Sequence, residues 1–383
     1  MINHSILKHH SFTGKIISIL KDEFGDDAIY IFENSPILGY LNIKTKSAER
    51  GSKSRGSFAN HYALYVIIED YINKGYLGDD LDYSKYDGAK FTDLFRRQRE
   101  LPFGSKLQNH ALNSRLNDEF KKFFPTLGIV PIIRDVRTSR YWIQEDLIKV
   151  SVRNKNGIER RENLAPSIIR IIDEYIATKK ESFELFLKTC QEIANLSSSD
   201  PHSVVKFIQE QLHPSSDARV FEIVSYAVLK ERYSNQTIWI GDSRDDVAEE
   251  SLVLYKTGRT NANDGGIDFV MKPLGRFFQV TETIDANKYF LDIDKVQRFP
   301  ITFVVKTNSS YEEIEKIIKE QAKAKYNIEA IVNSYMDSIE EIINVPDLMK
   351  YFEEMIYSDS LKRIMDEIIV QSKVEFNYEE DVS

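Results

Sequence analysis

Asn263-Asp264-Gly265-Gly266-Ile267-Asp268-Phe269-Val270-Met271, followed after a turn at Pro273 and Gly275 by Arg276-Phe277-Phe278-Gln279-Val280-Thr281-Glu282, is the stretch on which the reading of this chain turns. Both segments carry aromatic and β-branched residues between turn formers, the pattern of two short strands joined by a tight connection. A carboxylate, Asp268, then stands at the mouth of one strand, and an amide, Gln279, sits in the next. Strand alternation puts Gln279 and Thr281 on one face and Glu282 on the other. Gly265 and Gly266 allow a bulky backbone to come close.

Working outward, Asp217 to Tyr233 predicts a helix with Phe221, Val224, Ala227 and Val228 on one face and Glu222 near its start. Thr237–Ile240 and Ser251–Lys256 read as strands, and a polar loop from Thr257 leads into the Asp268 segment. Beyond Glu282 come a helical stretch to Phe299, a strand Ile301–Lys306, and acidic helices to about Val374.

Helix with Glu222, strand, strand with Asp268, strand with Gln279-Val280-Thr281, helix, strand, helix is an order that resembles the PD-(D/E)xK nucleases. Within them, Asp-Gly-Gly-Ile-Asp followed by an aromatic-rich Gln-x-x strand is most similar to the Mrr-like branch. The resemblance covers about residues 215–325. It implies an α/β restriction-endonuclease-like core, a mixed sheet flanked by helices, and a type II restriction endonuclease that hydrolyses double-stranded DNA with Mg2+. Phosphodiester hydrolysis needs a divalent cation beside the scissile phosphate, to lower the pKa of water and offset developing charge. Mg2+ takes oxygen ligands and keeps waters. By this resemblance Asp268 is the main carboxylate ligand, Gln279 adds its amide oxygen, and Glu222 reaches in from the helix.

The chain departs from the family at Thr281, which stands where the motif has lysine. A relocated lysine is the natural substitute. Lys256 ends one strand and lies almost opposite Asp268 if the two strands pair as an antiparallel hairpin; Lys306 ends the following strand. The reading without any lysine is a catalytically inactive DNA-binding protein, and the Mrr-like signature keeps a modification-dependent nuclease, cutting methylated DNA, as another alternative.

The first half of the chain reads differently. Ile16–Phe24 predicts a helix, and Ala28–Glu33 and Leu38–Thr45 predict strands. A basic loop with Lys53 and Arg55 precedes a helix beginning near Phe58 with Asn60 and His61. A second basic cluster with Arg96, Arg97 and Lys106 precedes a helix from Gln108 to Phe124 that carries Asn109 and Arg115. Small residues, Asn and His beside Lys and Arg at a helix start suit phosphate and base-edge contacts. Strands are expected at Ile129–Arg134 and Ser139–Ile143. Helices at Ser167–Thr178, Ser182–Leu196 and Ser203–Leu212 then lead into the second half.

Bulk properties fit this division. A chain of 383 residues exceeds what one core usually organises. Residues 1–170 carry 27 Lys and Arg against 21 Asp and Glu, a balance of +6, and residues 171–383 the remaining 24 against 39, or −15, which together give the net −9. Such asymmetry hints that the first part meets phosphate. A single cysteine, Cys190, excludes an internal disulfide and a cysteine-based zinc site. With no apolar run of membrane-spanning length and no apolar core in the first ten residues, the expectation is a cytoplasmic protein without membrane partners. No His pair has metal-ligand spacing, and no phosphate-cradling Gly-rich loop occurs.

The sequence therefore predicts an N-terminal α+β DNA-recognition domain (1–165) and a helical linker plus nuclease domain (166–383). The family implies a homodimer on double-stranded DNA, and a cognate DNA methyltransferase in the same system.

Overall fold

The computed structural model describes residues 8–46, 48, 54–78, 80–105, 107–153, 159–197, 199–243, 245–257, 267–356 and 359–376. The chain divides into two compact units, residues 1–185 and 186–383.

The first unit is mainly helical. Its elements are α1 (Thr13–Phe24), α2 (Ala28–Asn34), α3 (Pro36–Thr45), α4 (Ser54–Asn73), β1 (Ala89–Lys90), α5 (Phe91–Glu100), a π-helical turn Ala111–Arg115, α6 (Leu116–Phe123), β2 (Ile132–Asp135), β3 (Arg140–Ile143), α7 (Glu145–Ile148), β4 (Lys149–Arg153) and β5 (Glu159–Asn163). The strands form a small antiparallel sheet of order β1-β3-β2 and a β4–β5 hairpin. The segments 28–33 and 38–45, expected as strands, are helices. Ser35 caps α3, accepting the Leu38 N–H at 3.4 Å, and Pro36 opens it with the φ a helix needs.

Helix α8 (Ala165–Asn195) is one continuous element where two were expected, and the division between units falls inside it. Its early apolar face, Ile168, Ile171, Ile172 and Tyr175, belongs to the first unit's core. That explains why the compact unit extends about twenty residues past the expected boundary at 165.

The second unit continues with α9 (Pro201–Leu212), α10 (Ala218–Ser234), β6 (Thr237–Ser243), β7 (Asp246–Ser251), β8 (Val253–Lys256), β9 (Phe269–Lys272), β10 (Arg276–Thr281), α11 (Ala286–Lys295), β11 (Ile301–Val305), α12 (Tyr311–Lys325), α13 (Glu329–Met336), β12 (Ile339–Ile343), α14 (Val345–Glu353) and α15 (Ser360–Phe376). The fold is mixed α/β. A five-stranded sheet has the order β12-β11-β10-β9-β8, with β8, β9 and β10 antiparallel and β10, β11 and β12 parallel. Parallel neighbours need a crossover, and α11 supplies the one between β10 and β11. Among the described residues the ribbon β6–β7 forms a two-stranded sheet of its own.

Two cores cover the two faces of the sheet. Leu254, Phe269, Met271, Phe278 and Val304 pack with α10, α14 and α15. Ile301, Phe303 and Val305 pack with α11, α12 and α13. Arg363 of α15 clasps the buried Glu231 of α10 through Nε at 3.1 Å and Nη2 at 2.6 Å. Among the described residues no helix is long and apolar enough to cross a membrane.

Candidate active site

The site is built where β9 leaves β10. Asp268 donates its backbone N–H to the Phe278 carbonyl at 3.1 Å, and its carboxylate Oδ2 accepts the Val280 N–H at 2.8 Å. A side chain thus takes the place of a ladder carbonyl, so the pairing ends and the carboxylate is fixed against β10. The same Oδ2 accepts the Gln279 Nε2 donor at 2.8 Å. Gln279 is 8% exposed, and its other amide atom, Oε1, is buried and has no partner among the described residues. Leaving such a group unpaired costs roughly 1–3 kcal/mol. An orphaned amide oxygen beside a carboxylate is an all-oxygen donor set of the kind Mg2+ takes while retaining waters. The residues present therefore fit the implied cation.

Register decides which side chains share this place. Gln279 stands opposite Phe303 of β11, and Phe303 stacks on Tyr289 of α11 with ring centroids 4.2 Å apart. Gln279 and Thr281 therefore look toward α11. Lys288, in the first turn of α11, reaches back and donates its Nζ to the Thr281 hydroxyl at 3.1 Å. Thr281 is buried, and its own Oγ donates to the Thr283 carbonyl at 3.1 Å.

Lys256 lies on the other face. β8 and β9 do pair as an antiparallel hairpin, and Lys256 stands opposite Phe269, the neighbour of Asp268. Cross-strand partners share a face, so Lys256 points with Phe269 toward α10. There its Nζ meets Glu222 Oε1 at 3.0 Å, while Glu222 Oε2 takes Arg219 at 3.0 Å. Both Lys256 and Glu222 are largely buried, and removing one partner of such a pair costs roughly 3–5 kcal/mol. The expected ligand set is thus divided. Asp268 and Gln279 are together, whereas Glu222, on α10, pairs with Lys256 and Arg219 on the side of the sheet that Phe269 faces. Among the described residues, no three or more His, Cys, Asp or Glu side chains are grouped to hold a metal ion. Lys306 is buried at the end of β11, donating to the Ser216 carbonyl and lying 3.4 Å from Glu282. The Asn263 to Gly266 part of the motif lies outside the described residues.

Two DNA contacts expected in the first unit, Asn60 and His61, are corrected. Asn60 is fully buried and donates to the Tyr40 hydroxyl at 2.9 Å and to Glu119 at 2.7 Å. His61, also buried, stacks on Tyr175 at 4.4 Å. Both occupy the inner face of α4, so neither is presented to base edges. Arg97 makes a two-point contact with Glu69, both at 2.8 Å, and Arg115 pairs with Glu119 at 3.2 Å. Burial by itself would raise the Glu119 pKa, but Lys44 and Arg115 outweigh it and hold the carboxyl below its ordinary range. Two of the expected basic residues are therefore partly neutralised. Arg96 is exposed with Asp93 at 3.1 Å, and Asn109 is half-buried, its carbonyl accepting from Asn113 at 3.0 Å. Lys53, Lys106 and the side chain of Arg55 lie outside the described residues.

A residue missed by the sequence reading is Lys288. It lies seven positions beyond Thr281, on the next helix, and no motif spacing marks it. Comparison of the chain with family models, with curated proteins and with solved structures finds no match.

Proposed function

We propose that the second unit is a Mg2+-dependent endonuclease acting on double-stranded DNA, of the two-domain restriction type, with Asp268 and Gln279 at its centre. The observation that carries this reading is the Asp268–Gln279 pair with its orphaned buried oxygen, seated on a sheet whose order and directions suit a restriction-endonuclease-like core.

Asp268 and Gln279 would hold the cation. When bound, Mg2+ supplies charge stabilisation at the scissile phosphate and a water of lowered pKa. The chain's own residues do the rest. The Val280 N–H fixes the Asp268 carboxylate, so little reorganisation is needed when an anionic substrate arrives. Gln279 is held by the same oxygen, which leaves its Oε1 as the acceptor that would meet the cation. Glu222 and Lys256 on the far face brace α10 against β8, a positioning role. The exposed arginine Arg96 and the partly exposed Arg97, Asn109 and Arg115, together with Lys53, Arg55 and Lys106, are candidates for DNA contact in the first unit, and a two-fold DNA site would call for two copies of the chain.

Digestion of a mapped plasmid, methylated and unmethylated, with Mg2+ and with EDTA tests the proposal. Discrete Mg2+-dependent fragments of unmethylated DNA support the restriction reading. Cutting of methylated DNA alone moves the function to a modification-dependent nuclease. DNA binding with no nicking under Mg2+ or Mn2+ replaces the enzyme with a DNA-binding protein that has lost its chemistry at Thr281.

A further inference from the structure

We infer that Lys288, reaching over β10 from α11, supplies the cation that contacts the scissile phosphate; this rests on the nuclease reading of Asp268 and Gln279. Three observations place it there.

Its Nζ lies 3.1 Å from the Thr281 hydroxyl, on the face of β10 that Gln279 shares. Its charge is not cancelled: the partner is a neutral hydroxyl, Lys288 is exposed, and among the described residues it pairs with no carboxylate. By contrast, Lys256 is largely buried against Glu222, and Lys306 is buried between the Ser216 carbonyl, Glu282 and the Phe221 ring. Finally, Lys288 stands in the first turn of α11, where the positive end of the helix dipole disfavours a cation. The helix dipole therefore gives no reason for a lysine at that position. A phosphate would, since it would draw charge from the lysine and from the helix N-terminus together.

The role is that of a point charge beside Asp268 and Gln279. It holds a non-bridging phosphate oxygen, and without DNA its Nζ donates to the Thr281 hydroxyl instead. No bond is made or broken by Lys288 itself.

Two readouts test this. With EDTA present, DNA affinity is measured across a salt series for the unaltered chain, Lys288→Ala, Lys288→Met and Lys288→Arg. Loss of one phosphate contact lowers the slope of log affinity against log salt by about 0.9. That decrease is expected for the Ala and Met variants and not for Arg. Cleavage with Mg2+ should fall on the order of 100-fold or more in the Ala and Met variants. Met keeps the aliphatic stem, so a folding fault confined to the Ala variant leaves the test intact. An unchanged slope in the Met variant overturns the phosphate contact, whatever happens to cleavage. Wild-type cleavage by that variant overturns the inference while leaving the nuclease reading in place. If the unaltered chain itself never cuts with Mg2+ or Mn2+, the nuclease reading falls, and this inference falls with it.

Discussion

Gln279 is the residue whose chemistry is most exposed to test. Its Nε2 satisfies Asp268, and its Oε1 meets no donor among the described residues. Replacing it by glutamate removes the donor and sets two carboxylates at hydrogen-bond range, where both cannot ionise freely. We expect Gln279→Glu to melt below the unaltered chain in EDTA, and to gain more thermal stability from added Mg2+ than the unaltered chain does, because binding to the folded state alone shifts the equilibrium. Equal Mg2+ shifts in the two proteins, measured by thermal unfolding, would contradict the assignment. The Asp268–Gln279 neighbourhood was legible in the sequence because hairpin spacing and strand alternation are local rules. The burial of Asn60 and His61 was not legible. A polar pair at a helix start has the same sequence whether it faces solvent or a tyrosine, and only the packing of Tyr40 and Tyr175 decides between them.

At the scale of elements, length decided what was legible where burial on all sides blurs the helical period. Helix α10 declared itself through its 17-residue length and the Asp217 cap, which accepts the Arg219 N–H at 2.7 Å, although residues 221–229 are all buried. Helix α3 did not, because Ile37, Leu38, Gly39, Tyr40, Leu41, Asn42 and Thr45 are all buried, and a helix surrounded by protein loses its 3.6-residue pattern. Strand β12 was missed because it carries Glu340 and Glu341 within an acidic stretch read as helical.

The clasp between α10 and α15 yields a pH prediction. Burial by itself would raise the Glu231 pKa, but its hydrogen bonds with Arg363 and Ser360 outweigh this and hold the carboxyl below its ordinary value. A lowered carboxylate pKa stabilises the fold fully above the unfolded value of about 4.3, and the contribution is lost as pH falls through the folded value. In urea unfolding, Arg363→Met should be less stable than the unaltered chain at pH 7, and the gap should narrow below about pH 4. A gap that stays constant down to pH 3 would show that the pair contributes no proton-linked stability.

For the whole molecule, each unit has its own hydrophobic core: one drawn from residues 12–176, and two sandwiching the sheet of the second unit. A chain organised this way should be separable. We expect residues 186–383 expressed alone to unfold cooperatively and to nick DNA with Mg2+ without preference for sequence. A fragment that is molten, or one that retains the intact protein's cutting pattern, would show that the division of labour is wrong. The charge asymmetry that pointed to a phosphate-facing first half was a property of the sequence alone. The structure tempers it, since Lys44, Arg97 and Arg115 are each paired with glutamate.

The account as a whole depends on Asp268. The direct measurement is supercoiled-plasmid nicking with Mg2+ by the unaltered chain and by Asp268→Ala, each alongside a DNA-binding assay. Losing several kcal/mol of charge stabilisation at the phosphate should slow Asp268→Ala by roughly a thousandfold or more, with DNA still bound. Nicking by Asp268→Ala at the unaltered rate would contradict the account.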